Sequence, residues 1–491
     1  MRRRVAALAL ALAALAVAFF VLRPAPTPGP ALRDFESYYA AGVTWRYRGD
    51  AYGRDVWRVE KDVPGVVATR DELLPFVGPP FGLPLWDLFA RLPYPTAALL
   101  WTLVMAAALT TLVFASLRRA EPRASAFEAF ALLAFCAGFG PLTSGVALGQ
   151  VAIVSCAAIA AFPAFLGPGR LWAALLAALA AALQPNLAVV LLARAANARA
   201  WLALAGAAAV AVLGSALALG GTGGLARYAS VLREHAGAER FIAIQTTWAA
   251  ALRALGAAPN AAGFAALAVA LGVVTALALQ FRSRRYDPDA RLALACAAWP
   301  LALPFAHEHD FTIAFFPAVL AVRRARGAAW IGASLATLAV AVDWLGLAQR
   351  PTGIAETSLL VLAAALALVA LAPEEPGPLH LIAPAAVALV PLAGLLAAAH
   401  PLATWPDALP PGFHLPPTVP APVVWRAEQM RSGIGALDPV WGMLRALSLG
   451  GCALLWLVAS RVLARDVTTA ERRSESSSRP RRPQAAAYPS A

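Results

Sequence analysis

The chain has 491 residues, of which 60% are hydrophobic and only 14% are charged. This composition leaves too little polar surface for a soluble globular protein, so we predict an all-α polytopic membrane protein. The net charge of +13 does not indicate nucleic acid as a partner, because the arginines lie mainly in short loops between apolar runs and in the C-terminal tail.

The N-terminal segment has the pattern of a first membrane helix. Arg2, Arg3 and Arg4 precede an apolar run from Val5 to Leu22. That run is long enough to cross a bilayer, which takes about 17–25 residues, and it exceeds the apolar core of a signal peptide. We therefore predict an uncleaved helix whose three preceding arginines stay in the cytoplasm.

Further apolar runs follow along the chain. They cover approximately 97–116, 126–142, 147–166, 200–219, 263–281, 290–305, 311–322, 328–347, 354–372, 379–399 and 441–463. Between two of these runs, a proline with arginines on both sides predicts a pair of short helices that meet at Gln184-Pro185-Asn186. Together the runs predict a bundle of about 12 to 14 transmembrane helices.

The arginines also predict the orientation of the bundle. Three loops fall on one side, and they carry Arg118, Arg119 and Arg123, then Arg282, Arg284 and Arg285, then Arg323, Arg324 and Arg326. By the positive-inside rule this side is cytoplasmic, which places both termini in the cytoplasm. Residues 1–465 then form the membrane domain, and the polar tail 466–491 is predicted to be disordered.

Three segments on the opposite, outer side are too long for simple connections: residues 24–96, 220–262 and 400–440. In the first of them, aromatic and small residues recur at helical spacing from Phe35 to Gly42, which predicts an amphipathic helix at the outer interface. A second interfacial helix is predicted over Phe81–Arg91.

Metal and disulfide chemistry is not indicated. The four cysteines, Cys136, Cys156, Cys296 and Cys452, lie in apolar runs and form no Cys-x-x-Cys pair. Residues 307–310 read His-Glu-His-Asp, but adjacent side chains do not converge on one ion, and no separate ligand set is visible. We therefore predict that no metal is bound.

The stretch "RDFESYY", residues 33–39, places two carboxylates beside the predicted membrane. Asp34 has two readings. It is a favoured residue type for the N-cap of a helix that begins at Phe35, and it is also a candidate catalytic base. From the residues alone, the cap is the better interpretation.

Five stretches carry a family resemblance. They read "RDFESYYAAGVTWRYRGDAYG", "LPFVGPPFGLPLWDLFARLPY", "LTSGVALGQVAIV", "LAAALQPNLAVVLL" and "LPFAHEHDF". In this order, over roughly residues 30–325, they resemble the bacterial glycosyltransferase family 87, formerly a domain of unknown function. The matching motifs are Asp34-Phe35, Tyr38-Tyr39, Gly49-Asp50-Ala51-Tyr52, Pro79-Pro80 and Gly149-Gln150.

The resemblance implies a GT-C type fold and a function. Family members include polyprenol-phosphate-mannose-dependent mannosyltransferases, so we expect transfer of a hexose, with mannose as first choice, to a lipid or glycan acceptor. The reaction would take place on the outer face of the bacterial plasma membrane. No cofactor is expected, because the lipid-linked sugar is itself the activated donor.

Sugar transfer of this kind gives Asp34 a chemical role. Polyprenyl phosphate is a good leaving group, whereas the acceptor hydroxyl is a poor nucleophile until a base accepts its proton. With the resemblance, the catalytic base becomes the better interpretation of Asp34, and a cap role is compatible with it. Glu36 is the fallback base, and we expect it to face another side of the helix as a solvated carboxylate.

The resemblance also points to donor contacts. His307 and His309 are candidates to bind the donor phosphate, although a polar loop end is an equally good interpretation. Where the family usually has Lys-Pro in the broken hairpin, this chain has Gln184-Pro185, and a cation that would meet a phosphate is lost. Glu308 and Asp310 change the charge around His309 relative to the usual family pattern.

Other candidate substrate contacts are less specific. Tyr38 and Tyr39 are the paired aromatics of the motif, and Gln150 is more readily explained by an internal hydrogen bond than by substrate. The second outer segment supplies a pool of arginines that would neutralise a phosphate or simply anchor a loop: Arg227, Arg233, Arg240 and Arg253.

Two other function classes remain open. Many apolar runs and a broken hairpin are also typical of a transporter or lipid flippase for envelope precursors. Against this class, the second half shows no paired broken segment, and Asp343 lies near the end of its run rather than at the midplane. A scaffold without catalytic activity is the third alternative, and it would leave Asp34 dispensable.

Overall fold

The computed structural model describes residues 2–22, 32–66, 74–120, 125–283, 285–342, 353–373, 399–400, 419–433 and 437–464. These residues are largely helical and contain no strand, which confirms the all-α prediction. Predictions for the tail 466–491 and for Asp343 lie outside the described residues, as does almost all of the span 379–399 and much of the outer segment 400–440.

The helices in the described residues are, in chain order, α1 (Arg2–Leu22), α2 (Arg33–Arg46), α3 (Asp55–Glu60), α4 (Leu83–Phe89), α5 (Tyr94–Ala120), α6 (Ala126–Ala137), α7 (Gly140–Leu148), α8 (Ala152–Ala161), α9 (Leu171–Ala181), α10 (Pro185–Ala188), α11 (Ala198–Ala218), α12 (Thr222–Glu239), α13 (Trp248–Ala254), α14 (Pro259–Arg282), α15 (Pro288–Ala298), α16 (Phe315–Arg324), α17 (Gly327–Ala341), α18 (Gly353–Leu371), α19 (Ala421–Ser432) and α20 (Pro439–Val462). Short 3₁₀ segments cover Pro80–Gly82, Phe162–Phe165, Val189–Arg194, Trp299–Leu301 and Glu308–Ala314.

Four helices of the described residues, α5, α11, α14 and α20, are long and apolar enough to cross a membrane. The pair α6 and α7 is bent by 69° and counts as a fifth span if the two helices are taken together. These helices support a membrane protein. The total of about 12 to 14 spans and the GT-C arrangement stay predictions.

The arginine-rich loops meet at one end of the bundle. Arg119 and Arg194 both form ion pairs with Asp289. Arg324 donates a hydrogen bond of 3.0 Å to the carbonyl oxygen of Arg119. Loops that are far apart in the chain therefore share one side, as the arginine pattern predicts; that this side faces the cytoplasm stays a prediction.

Three interruptions of the helices, at residues 149–151, 182–184 and 302–307, contribute to the wall of one cavity. Non-helical backbone within a membrane protein is tolerated where it lines a cavity, because its polar groups then have partners. The proline-centred hairpin is confirmed, since α9 ends at Ala181 and α10 begins at Pro185.

The placement of Gly149-Gln150 inside a continuous span over 147–166 was wrong. Gly149 has φ +76°, a left-handed conformation that suits glycine and ends α7. A Cβ atom at this position would lie 2.8 Å from the Cβ of Leu32 and 2.9 Å from that of Phe35. The break therefore also brings α2 close to the end of α7.

Helix α2 is packed into the bundle on most of its surface, which corrects the prediction of a helix lying at the interface. Phe35 is fully buried and stacks on Trp101 with ring centroids 5.6 Å apart. A Cβ atom at Gly42 would lie 2.4 Å from the carbonyl carbon of Trp86, so only glycine allows α4 to approach this closely. The helix predicted over Phe81–Arg91 is confirmed by α4 and the 3₁₀ turn before it.

Candidate active site

A cavity of about 490 Å³ lies where the three helix interruptions meet. Its wall is formed by the start of α2, residues 74–79, the breaks after α7 and α9, helix α12, residues 304–310, and parts of α19 and α20. Most of this wall is apolar, and a small set of polar and charged side chains faces the space. A mainly apolar cavity with a few convergent polar groups is the usual form of a binding site for an organic ligand.

Asp34 lines this cavity from the first turn of α2. The helix begins at Arg33 rather than Phe35, and its N-cap residue is Leu32, with no side-chain capping bond. The interpretation of Asp34 as a helix cap was therefore wrong. Its carboxylate instead accepts a hydrogen bond from the side-chain amide of Gln150, across 116 residues of sequence.

The surroundings of Asp34 make its carboxylate a stronger base than an exposed aspartate. Burial raises its pKa from 3.8 to about 6, and this rise is opposed by the hydrogen bond from Gln150 and by the positive charge of Arg33. A group with this pKa is still mostly ionised at neutral pH and accepts a proton more readily than an ordinary carboxylate.

Gln150 is held at both ends of its amide. Its nitrogen donates to Asp34, and its oxygen accepts a hydrogen bond of 2.9 Å from the hydroxyl of Tyr38. The ring of Tyr38 stacks on Trp86 at a centroid distance of 4.8 Å. Gln150 thus makes internal hydrogen bonds, as predicted, and these bonds fix the direction of the Asp34 carboxylate.

The His-Glu-His-Asp stretch forms the opposite wall. Asp310 accepts hydrogen bonds of 2.9 Å from the backbone N–H of His307 and 2.9 Å from the side chain of Gln184. Gln184 therefore faces the cavity and not the lipid. The rings of His307 and His309 lie 5.6 Å apart and both line the cavity.

The two histidines differ in charge. Burial lowers the pKa of His309 to about 4, so this imidazole is neutral at neutral pH. Burial also opposes protonation of His307, but the Glu239 carboxylate at 3.1 Å outweighs it, and the pKa of His307 is raised. His309 therefore offers a neutral hydrogen-bonding group, whereas His307 is the more readily protonated of the two imidazoles.

Several important residues of the cavity were missed by sequence reasoning. Glu239 is buried at the end of α12 and lines the cavity together with Arg33, His235 and Arg445. No local motif marks these positions, and the partners of Glu239 come from distant parts of the chain. Glu239 is one of two glutamates in the outer segment 220–262, and nothing in the local sequence distinguishes it from Glu234.

Some predicted site residues lie elsewhere. Glu36 is buried, contrary to the expected solvated carboxylate, and it lies outside the cavity wall near Glu60. Tyr39 turns away and donates a hydrogen bond of 2.9 Å to the carbonyl oxygen of Leu92. Arg253 lies in the last turn of α13, donates a hydrogen bond of 3.0 Å to the carbonyl oxygen of Ala257, and does not line the cavity.

The remaining arginines of the second outer segment also stay out of this cavity. Arg227 pairs with Asp50 at a second cavity of about 620 Å³ near the C-terminal end of α2. The guanidinium of Arg240 lies over the ring of Phe241. Across the described ranges, no group of three or more histidine, cysteine or acidic side chains is arranged to hold a metal ion, and the absence of a metal stays a prediction.

The sequence comparisons agree with this architecture. Residues 76–304 match glycosyltransferase family 87. The match, which covers just under half of the chain, confirms the resemblance to this family, and the family implies a membrane glycosyltransferase. The family 87 segment contains Gln150, Gln184 and Glu239, whereas Asp34 precedes it and His307 follows it. No curated protein and no solved structure gives a significant match to the chain.

Proposed function

We propose that this membrane glycosyltransferase transfers a hexose, with mannose as first choice, from a polyprenyl-phosphate donor to a hydroxyl of a lipid or glycan acceptor. The reaction takes place on the outer face of a bacterial plasma membrane, and Asp34 is the general base. One observation carries the proposal: a chain that matches family 87 has the Asp34 carboxylate and the imidazoles of His307 and His309 on the wall of the same cavity.

The chemistry balances without a cofactor. Asp34 accepts the proton of the acceptor hydroxyl as its oxygen attacks the anomeric carbon of the donor sugar. The bond between that carbon and the phosphate oxygen breaks, and polyprenyl phosphate leaves with the bonding electron pair. The proton stays on Asp34 until water removes it. A carboxylate whose pKa burial raises to about 6 suits both steps at neutral pH.

Asp34 is a better candidate base than the other carboxylates of the cavity wall. Asp310 accepts hydrogen bonds from Gln184 and from the backbone of His307, which commits it to holding the 3₁₀ turn. Glu239 is saturated by donors from several elements, so it has no lone pair to offer to an acceptor hydroxyl. Asp34 has a single side-chain donor, Gln150, among the bonds described for its carboxylate.

The opposite wall supports a phosphate-bearing donor. His307 supplies the more readily protonated imidazole and His309 a neutral one, and Arg33 adds a guanidinium beside the base. Apolar residues complete the wall, which suits a lipid chain entering beside the phosphate. The family usually has a lysine in the hairpin where this chain has Gln184. Here His307 and His309 would bind the donor phosphate instead of that lysine.

The test is transfer by purified protein in lipid nanodiscs. A panel of radiolabelled polyprenyl-phosphate hexoses is offered with a lipid and glycan extract of the same membranes as acceptor, and nucleotide sugars serve as alternative donors. The expected result is a new labelled glycoside from one lipid-linked donor. Labelling from nucleotide sugars alone would refute the donor class. Movement of donor across vesicles without a new glycosidic bond would favour the transporter alternative.

A further inference from the structure

The buried carboxylate of Glu239, on the cavity wall, accepts hydrogen bonds from side chains of three separate elements. Oε1 of Glu239 accepts hydrogen bonds of 2.6 Å from Trp425 and 3.0 Å from Gln429. Oε2 lies 3.1 Å from Nε2 of His307, and Gln245 donates to the same oxygen at 3.3 Å. Only 3% of the Glu239 residue surface is exposed.

This arrangement fixes Glu239 as an anion. A buried carboxylate is costly unless it is well hydrogen-bonded, and here the donors fill its lone-pair sites. The net effect is a pKa lowered to about 2: burial alone would raise it, but the nearby His235 and His307 more than offset this. Glu239 therefore keeps its charge throughout the range in which enzymes are assayed.

Titratable side chains from several different elements surround His307. Acidic groups that face it are Glu239, Asp310 and Asp34, and the other imidazoles are His235 and His309. The distances single out Glu239, whose Oε2 lies 3.1 Å from the His307 ring, whereas its Oε1 lies 3.7 Å from Nε2 of His235. Burial dominates for His235 and lowers its pKa, so His307 is the more readily protonated partner of Glu239.

We propose that Glu239 is a positioning residue for the transfer reaction: it fixes the imidazole of His307 and keeps it protonated at the cavity wall, where the donor phosphate binds. The proposal rests on the proposed function for the identity of the ligand. It assigns a role to a residue that does not touch the reacting atoms. Helix α19 lies outside the family 87 segment, but its residues Trp425 and Gln429 hold Glu239 in place. In this proposal α19 therefore stabilises the donor site indirectly.

The first measurement reads the charge of His307 directly and needs no substrate. Protein labelled at histidine carbons is titrated by NMR in nanodiscs, and His307→Gln assigns the signal. The Glu239→Gln variant retains an oxygen for Trp425 and Gln429 but removes the negative charge. We expect the His307 pKa to fall below its ordinary value of 6.5 in this variant, and an unchanged pKa would overturn the proposal.

The second measurement follows donor binding and transfer. Glu239→Gln should raise the KM for the polyprenyl-phosphate donor about tenfold at neutral pH, with a smaller effect on kcat, because a ground-state contact to phosphate is weakened. The high-pH limb of kcat/KM should move to lower pH by at least one unit. Combining Glu239→Gln with His307→Gln should add little to the effect of either change, since both remove the same charge.

A matched variant distinguishes the effect of the Glu239 charge on His307 from the effect of losing a contact between Glu239 and α19. Gln429→Met removes one donor to Glu239, and Gln429 is not part of the cavity wall. It should lower thermal stability but leave the His307 pKa and the high-pH limb in place. If Gln429→Met shifts that limb as far as Glu239→Gln does, Glu239 acts through packing and the proposal fails.

The two proposals fail in different ways. If the His307 pKa falls as expected but no polyprenyl-phosphate sugar is a donor, the proposed function is wrong and the Glu239–His307 coupling stands. If a lipid-linked sugar is transferred but the His307 pKa does not respond to Glu239→Gln, the function stands and the positioning role is wrong.

Discussion

The side-chain amide of Gln150 donates a hydrogen bond to the carboxylate of Asp34 and links the break after α7 to the first turn of α2. The two residues are 116 positions apart in the chain. Because Tyr38 holds the other end of the same amide, the carboxylate is oriented before any substrate arrives. Preorganisation of this kind reduces the reorganisation that a proton transfer would otherwise require.

Asp34→Asn is expected to abolish most of the transfer activity while donor binding persists. Asparagine keeps the size of the side chain and an oxygen for Gln150, but it cannot accept the acceptor proton. Loss of a general base typically lowers the rate about 10² to 10⁴-fold, and single-turnover transfer with bound donor measures it. Transfer within a few-fold of the wild type would remove Asp34 from the mechanism.

The control for this change is Glu36→Gln. Glu36 lies on the same helix and is also buried, but it does not line the cavity. The folded fraction of this variant should therefore transfer sugar within a few-fold of the wild-type rate. A collapse equal to that of Asp34→Asn, in protein that is shown to be folded, would make Glu36 the better base.

Asp34→Asn should also stabilise the protein at neutral pH. Burial raises the pKa of Asp34 from 3.8 to about 6, so the folded state binds the proton more tightly than the unfolded chain does. Ionised Asp34 therefore opposes folding increasingly as pH rises from about 4 through 6, and asparagine removes this cost. Thermal unfolding in nanodiscs at pH 5 and pH 7.5 should show a larger gain at the higher pH, and no gain at either pH would contradict the raised pKa.

Transfer should fall as the pH drops through about 6. Only ionised Asp34 accepts a proton, and its pKa is raised to about 6 by burial. The pH profile of kcat/KM, measured over pH 4.5–9, should show this acidic limb with a slope of one proton. The residual activity of Asp34→Asn should lack the limb. A wild-type midpoint near 4 would indicate an ordinary, exposed carboxylate.

His309→Ala is expected to raise the KM for the donor more than the KM for the acceptor. His309 is buried on the cavity wall, and because its pKa is lowered to about 4 it contributes a neutral hydrogen bond and no charge. Loss of one such bond should raise the donor KM by roughly five- to tenfold, and His309→Gln should recover part of it. Unchanged donor kinetics would place His309 outside the donor site.

Gln184→Lys should be tolerated. Gln184 faces the cavity and donates to Asp310 at 2.9 Å, so a lysine ammonium in its place gains an anionic partner. The yield of folded protein should be close to wild type, and the donor KM should be unchanged or lower. Gln184→Leu is the matched variant, and it should raise the donor KM because Asp310 loses a partner. A misfolded lysine variant would show that this position does not accept a cation.

Labelling of single cysteines tests the orientation. Ser37 is a poor probe, because it is buried beside Asp34, whereas 77% of Tyr47 is exposed on the same outer segment. In a background without the native cysteines, Tyr47→Cys should react with an impermeant thiol reagent added to intact cells, and Ser283→Cys should react only after lysis. The reverse pattern would move the cavity opening to the cytoplasmic side.

The sequence located the parts of the site that lie in local motifs. The stretch around Asp34, the interrupted hairpin at Gln184 and the histidines after Pro304 were each visible as unusual polar residues beside apolar runs, and the structure brings them to one cavity. Apolar periodicity also predicted most helices, because burial and helix length leave direct marks in sequence.

The sequence did not locate features that depend on packing between distant elements. Glu36 has the same local setting as Asp34, yet close packing of α2 buries it outside the cavity. The start of α2 at Arg33 lies against the break at Gly149, a contact between distant segments that no capping rule predicts. Glu239 has no motif, since its hydrogen-bond donors come from three separate stretches of the chain.

The distance in sequence between Glu239 and its donors in α19 also affects when these contacts can form during protein synthesis. Glu239 and Trp425 are 186 residues apart, so translation at about 5–20 residues per second takes roughly 10–40 s to supply the second partner after the first. During that interval α19 does not yet exist, so Oε1 of Glu239 lacks both of its side-chain donors, Trp425 and Gln429. The cavity wall, which includes Trp425, Trp441 and Arg445, is complete only after most of the chain has been translated.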